Sequence, residues 1–192
     1  AVAARKAKDP AYRALSAAVR KEWMDRIWRT KVAVNQRVFI EKQLENLAEN
    51  RIPSLCLKDA FKGMSAVLLG GGPSLDDALP WIKKHRDKLV VLAISRVCRR
   101  LREVDLVPDI VVSVDPFPVN YENSSDLFHF WETTLFLNAN QVSPQLLGQW
   151  RGKSVYSGDR FPWPTPLNEP TLPLAAPTVT NTALVSAVAM GF

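Results

Sequence analysis

Little in this 192-residue sequence can hold a fold together covalently or through a metal. It has two cysteines, Cys56 and Cys98, and two histidines, His85 and His129. Two cysteines in no metal-ligand spacing exclude a disulfide framework and a zinc module, and they read as buried, reduced thiols of a cytoplasmic protein. Neither histidine belongs to a nucleophile or metal pattern, so both are expected to be structural and no metal site is expected. No run of about 18 apolar residues occurs, so no membrane span is expected. The opening AVAARKAKDPAYR lacks the apolar stretch of a secretory signal. No Gly-Lys-Ser/Thr follows a glycine loop, which excludes a Walker loop. Zinc-finger and RNA-recognition signatures are also missing, so nucleic acid is not an expected partner.

What is present is a globular composition, 47% hydrophobic and 23% charged, too apolar for a disordered chain. The net charge of +6 is uneven. Residues 1–63 carry 14 Lys/Arg against 7 Asp/Glu, and residues 64–192 carry 11 against 12. The basic third reads as a solvated helical face, or as a surface for nucleic acid or an acidic partner. Asp9-Pro10 is a helix start, with Asp as cap and Pro in the first turn. Leu15, Val19, Trp23 and Ile27 follow at helical spacing, a break is expected near Lys31–Gln36, and Pro53 closes the segment.

The rhythm changes at Ser65. Short apolar runs at 66–69, 89–94 and 109–114 alternate with helical patterns, and 134–138 and 154–157 are further expected strands. Continuous apolar runs mark strands buried on both faces, as in parallel sheets. The expected fold is therefore α/β: a Rossmann-like, doubly wound, mostly parallel sheet over 64–192, preceded by a helical segment over 1–63. Six prolines between Pro162 and Pro177 forbid regular structure there, and Val179–Met190 reads as a helix. The chain stops where another strand would follow, so it reads as a fragment of a longer protein.

The strongest local feature is a strand, then Gly70-Gly71-Gly72-Pro73-Ser74, then a helix. Glycines permit a tight turn and let a phosphate approach without a Cβ clash, and a helix N-terminus favours the anion. Ser74 can cap the helix or donate to a phosphate. The dinucleotide fingerprint is not met: its third glycine position is Leu75, and the second strand ends at Ser95 where an acid would grip a ribose. Ser95 joins the expected nucleotide contacts instead. Asp115 ends the third strand at the carboxyl edge, where open α/β sheets bind ligands, and is the one acid placed there. It is the candidate catalytic residue, although Ser113 denies it an Asp-x-Asp metal pair. Asp109 belongs at the opposite edge as a turn cap. Thr180, Asn181 and Thr182 open the last helix as a polar cluster suited to an anion or ribose, and Asn138 and Asn140 follow the fourth strand. Among the tryptophans, Trp163 in the proline loop is the candidate for more than packing.

Three segments in order, LLGGGPSLDD at 68–77, VPDIVVSVDP at 107–116 and PTVTNTALVSAVAMGF at 177–192, resemble the motility-associated factor family of bacterial flagellin glycosylation proteins. The resemblance covers roughly 64–192. It implies transfer of a nonulosonic (sialic-acid-like) sugar from a CMP-activated donor to serine or threonine of flagellin, with flagellin as partner and no firm cofactor. The first segment is also similar to the glycine–proline–serine turn of bacterial sialyltransferases. That likeness implies that Gly70, Gly72 and Ser74 lie near the CMP phosphate and ribose, and Asn181 and Thr182 near the nucleotide or sugar. Two departures stand out. Ala176 and Pro177 replace glycines that the family has before Thr-Val, and the family's domain continues beyond Phe192. An archaeal 6-hydroxymethylpterin diphosphokinase shares a similar core, which implies ATP, magnesium and Asp115 as a metal ligand. A non-catalytic flagellin-binding module is the third reading.

Overall fold

The structure, a computed structural model, describes residues 10–174 and 178–192. The chain falls into two compact units, Ala1–Val38 and Phe39–Phe192. The described part of the first unit is helical. Helix α1 (Pro10–Glu45) opens on proline as expected, while Asp9, its expected cap, lies outside the described residues. The expected break near Lys31–Gln36 does not occur and α1 runs on. No glycine or proline stands between Ala11 and Glu45, and β-branched residues or asparagine cost a helix only a few tenths of a kcal/mol each. Leu15 and Val19 are exposed; the side chains of Trp23, Ile27 and Trp28 lie outside the described residues.

The second unit is built on five strands: β1 (Ala66–Leu69), β2 (Val90–Ile94), β3 (Ile110–Ser113), β4 (Leu135–Ala139) and β5 (Ser154–Ser157). They form one sheet in the order β1-β2-β3-β4-β5, and every pairing is parallel. Between them come α2 (Leu75–Lys84), α3 (Cys98–Glu103), α4 (Pro118–Ser124) and α5 (Pro144–Gln149), and after β5 comes α6 (Val179–Met190). Right-handed crossovers repeated in one direction put every connecting helix on one face, and the core is divided that way. Val91, Ala93, Val111 and Phe136 pack with Leu79, Ile82, Cys98, Leu101, Leu146 and Leu147 of the crossovers. The alternate residues Val90, Leu92, Ile110, Val112, Leu137 and Val155 pack with Ala183, Ala187 and Met190 of α6 and with Leu172. Helix α6 thus returns across the opposite face, and the sheet is covered on both sides, the α/β architecture that continuous apolar runs require.

The free edge of β5 is closed by Ile52 and Pro53: Tyr156 N donates to Ile52 O at 3.0 Å, and Pro53 forms a parallel bridge with Tyr156. The C-terminal end of α6 is held by the stretch before β1. Asp59 N donates to Ala189 O, Phe61 N to Met190 O, and the Phe61 and Phe192 rings stack at 4.8 Å. Gly191 takes the left-handed conformation (φ 101°) that ends this helix.

Cys98 is buried as expected, but Cys56 is exposed. The 3-10 turn Ser54–Leu57 turns Ser54 inward and leaves Leu55 and Cys56 outside. Both histidines have local partners: His85 Nδ1 meets Trp81 O at 2.8 Å, and His129 Nε2 meets Arg102 at 2.6 Å. Asp109 lies at the amino edge of the sheet, where it accepts from Val91 N at 2.7 Å and pairs with Arg86. Among the described residues, no helix is long and apolar enough to cross a membrane.

Candidate functional site

The carboxyl ends of the strands form an edge whose two halves are built differently. Over β4 and β5 it is stoppered by amides from the end of α1 and the turn after it. Gln43 Nε2 donates to Asp159 O at 2.6 Å, Asn46 Nδ2 to Val142 O at 2.7 Å and Asn140 O at 3.1 Å, and Asn50 Nδ2 to Asn140 O at 3.1 Å. Asn138 is 1% exposed, and its Nδ2 donates to Asn50 Oδ1 at 2.8 Å. Asn138, expected among the nucleotide contacts, is therefore covered, with its Oδ1 buried and without a protein partner, as is Asn140 Oδ1. Tyr156 stands beside Asn138 in register. Burial, reinforced by the nearby Glu169 and Asp159 carboxylates and opposed by Arg160, pushes its phenol up from the ordinary value.

Over β1 to β3 the edge is open. Gly71, Gly72, Pro73 and Ser74 are exposed after β1. None of the three glycines has a positive φ, so the tight turn expected of them does not demand glycine. A Cβ added at Gly72 would meet nothing within 4 Å. At Gly71 it would meet only Val97 at 3.8 Å, and at Gly70 only Thr180 at 3.8 Å. Nothing within the described chain requires three glycines here. The Ser74 side chain does not cap α2, which leaves its hydroxyl free of that duty. Thr180 brings the N-terminal turn of α6 against Gly70. In that turn Thr178 is the cap, accepting from Asn181 N at 3.2 Å; Asn181 is exposed and Thr182 buried. Ala176 and Pro177, the departures noted before this helix, lie outside the described residues.

Beneath the open half lies a closed polar network. Ser95 is 2% exposed. Its hydroxyl donates to Ser113 Oγ at 3.1 Å and accepts from Ser124 Oγ at 2.9 Å, and Asn120 Nδ2 donates to Ser113 Oγ at 2.9 Å. Ser95 is thus placed under the edge, with its hydrogen bonds committed to neighbouring side chains. The same Asn120 amide donates to Asp115 O at 2.9 Å, which fixes the backbone of Asp115. The Asp115 carboxylate is half-exposed and faces Arg96 NH2 at 3.7 Å.

Three charged groups at or near this edge carry no motif and were not expected. Arg96 follows β2; Asp77 sits beside Asp76 in the first turn of α2, where Asp76 is drawn off to Arg100 at 2.7 Å; and Asp159 follows β5, so Asp115 is not the one acid at the carboxyl edge. Among the described residues, no group of three or more His, Cys, Asp or Glu side chains is placed to hold a metal. A cleft of about 470 Å³ lined by Phe128, Trp131, Gly148, Gln149 and Arg151 opens beside the amino ends of β4 and β5, away from the glycine turn. Trp163 is half-exposed, its ring 5.5 Å from that of Phe161. Its loop is stapled by Asn168, which accepts from Phe161 N and donates to Phe161 O and Trp163 O.

The chain is 31% identical over 83 residues to a 6-hydroxymethyl-7,8-dihydropterin pyrophosphokinase of Methanocaldococcus jannaschii, covering 42% of this chain and 34% of that protein. It is 28% identical over 85 residues to an uncharacterized protein of Treponema pallidum, covering 44% of this chain and 40% of that one. The chain thus spans well under half the length of either relative. Its fold is similar to that of a MAf glycosyltransferase from Magnetospirillum magneticum AMB-1, with a TM-score of 0.64 and 23% identity over 81% of this chain and 25% of that one. The family profile described as 6-hydroxymethylpterin diphosphokinase MptE-like matches residues 41–192, the sheet-bearing unit almost from end to end. The chain belongs to the MptE-like family.

Proposed function

We propose that this unit binds the phosphate-bearing end of an activated donor on the turn Gly70–Ser74 and serves a group-transfer reaction there. The observation that carries the reading is the glycine turn: three glycines that neither backbone geometry nor packing requires stand at the open half of the carboxyl edge, two of them, Gly71 and Gly72, exposed. The absence of side chains there makes sense for a ligand that approaches the backbone closely. Thr180, beside Gly70, and the exposed Asn181 of the same turn are our candidates for the ribose or sugar, whereas the buried Thr182, Ser95 and Asn138 are given no direct contact. Our preferred donor is a CMP-activated nonulosonic sugar and our preferred acceptor a hydroxyl of flagellin. The MAf neighbour supports the glycosyl-transfer class. Asp115 stands at the edge as the base for the acceptor proton, and the turn stabilises the leaving phosphate.

The sequence likeness to the pterin pyrophosphokinase supports a second reading, pyrophosphoryl transfer from ATP. Asp115 is then the oxygen ligand that the chain offers to magnesium, which takes one or two carboxylates and fills its shell with phosphate oxygens and water. Binding of neither nucleotide favours a non-catalytic flagellin-binding module, or a piece too short to hold its ligand.

Ligand-observed NMR separates the readings. Saturation transfer to CMP, lost in Gly72→Val, is expected for the glycosyl reading; a response to ATP only with magnesium favours the second. Because a side chain at Gly72 enters open space, Gly72→Val should keep the melting temperature of the parent and bind at least about tenfold more weakly. A variant that binds as well as the parent would remove the turn from the site.

A further inference from the structure

We propose that Arg96 is the residue that selects for phosphate at this edge, and that Asp115 holds it in waiting and releases it when the ligand arrives. The inference rests on the reading of the glycine turn as a phosphate site and adds the charge that discriminates among ligands. The glycine turn follows β1 and Arg96 follows β2, and these two strands are parallel neighbours, so both leave the sheet at its carboxyl edge. A Cβ added at Gly71 would meet the side chain of Val97, the residue after Arg96, at 3.8 Å. β2 pairs with β3 along its other edge, and Asp115, which follows β3, lies 3.7 Å from the Arg96 guanidinium. Arg96 thus stands between the open turn and the carboxylate.

The pairing of Arg96 differs from that of the neighbouring arginines. Arg86, Arg99, Arg100 and Arg102 lie 2.7–3.2 Å from carboxylates, the distance of a charge-assisted hydrogen bond. Arg96 is 3.7 Å from Asp115, with its side chain 52% exposed and that of Asp115 40% exposed. A pair so long and so wet holds little energy, and little is lost when the guanidinium turns away. A phosphate on the turn offers the paired oxygens that a guanidinium fork matches best. Once Arg96 has moved to it, the Asp115 carboxylate is free to meet the acceptor or a metal ion. One displacement therefore couples donor binding to exposure of the acid.

The test uses four probes on the whole chain and on Arg96→Gln and Asp115→Asn: cytidine, CMP, ATP with magnesium, and inorganic pyrophosphate, the last followed by phosphorus NMR line width. Arg96→Gln is expected to weaken the phosphorylated probes by about ten- to a hundredfold, the worth of a hydrogen bond to a charged group, and to leave cytidine unchanged. Asp115→Asn, which removes the competitor for the guanidinium, is expected to strengthen pyrophosphate binding about two- to threefold. Equal weakening of cytidine and CMP, or no weakening of either, would overturn the role of Arg96 while leaving the nucleotide reading in place. Pyrophosphate broadened by the parent and not by Arg96→Gln, with no response to CMP or ATP, would keep Arg96 and remove the nucleotide. Failure of the parent to bind any phosphorylated probe would remove both.

Discussion

Asn46 answers two backbone carbonyls with one amide, Val142 O at 2.7 Å and Asn140 O at 3.1 Å, inside a buried patch. Replacement by alanine strands Val142 O without a donor, and an unsatisfied buried group costs about 1–3 kcal/mol. Urea unfolding of Asn46→Ala should show a loss in that range; an unchanged midpoint would mean that water takes over the bond. Tyr156 makes a prediction at high pH. Its folded phenol is raised above the unfolded value near 10, so its contribution to stability is complete below that pH and is lost as pH rises through the folded value. Stability should therefore decline above about pH 10, and Tyr156→Phe should shallow that decline. The thiols differ in the same way. Burial, and then the Asp126 charge, push Cys98 far up, whereas Cys56 is exposed. Ellman's reagent should titrate one thiol in the native protein and two in urea; two fast thiols in native protein would contradict the packing around Cys98.

At the scale of elements, what could be read from the order of residues was what local chemistry dictates. The apolar runs at 66–69 and 154–157 are β1 and β5 to the residue, and Val179–Met190 is α6. β2, β3 and β4 differ by one residue at their ends, because hydrophobicity marks burial and not the last ladder hydrogen bond. The glycine turn was equally legible, since its signal lies in five consecutive residues. Arg96 was not. Its meaning comes from the edge it shares with the glycine turn and from Asp115 across the sheet, and no local pattern announces that proximity. Asn138 shows the converse: as a polar residue ending a strand it looks like a ligand contact, but the amide that occupies it, Asn50, lies 88 positions earlier.

Over the whole molecule, the two faces of the sheet are sealed by different parts of the chain, the four crossovers on one side and α6 with Leu172 on the other. β2 and β3 lie in the middle of this sandwich and are buried at every residue, whereas β1 begins exposed. Amide exchange should accordingly be slowest in Val90–Ile94 and Ile110–Ser113 and faster in Ala66–Leu69. Equal protection of all three strands would mean that something further covers β1.

The sequential strand order carries a consequence in time. Each strand pairs with the strand made just before it, so the sheet can grow in step with synthesis, every β-α-β unit closing a short local loop. The segment that stoppers β4 and β5 breaks this rule: it is made before β1, and its partners come only after β4 and β5. Leucines on its inner face would leave a greasy helix waiting through the translation of about a hundred residues. Gln43, Asn46 and Asn50 wait in water at no such risk, and each trades its hydration for a carbonyl when the far end of the sheet emerges. The use of amides at this seam makes an early-born segment safe to hold in reserve.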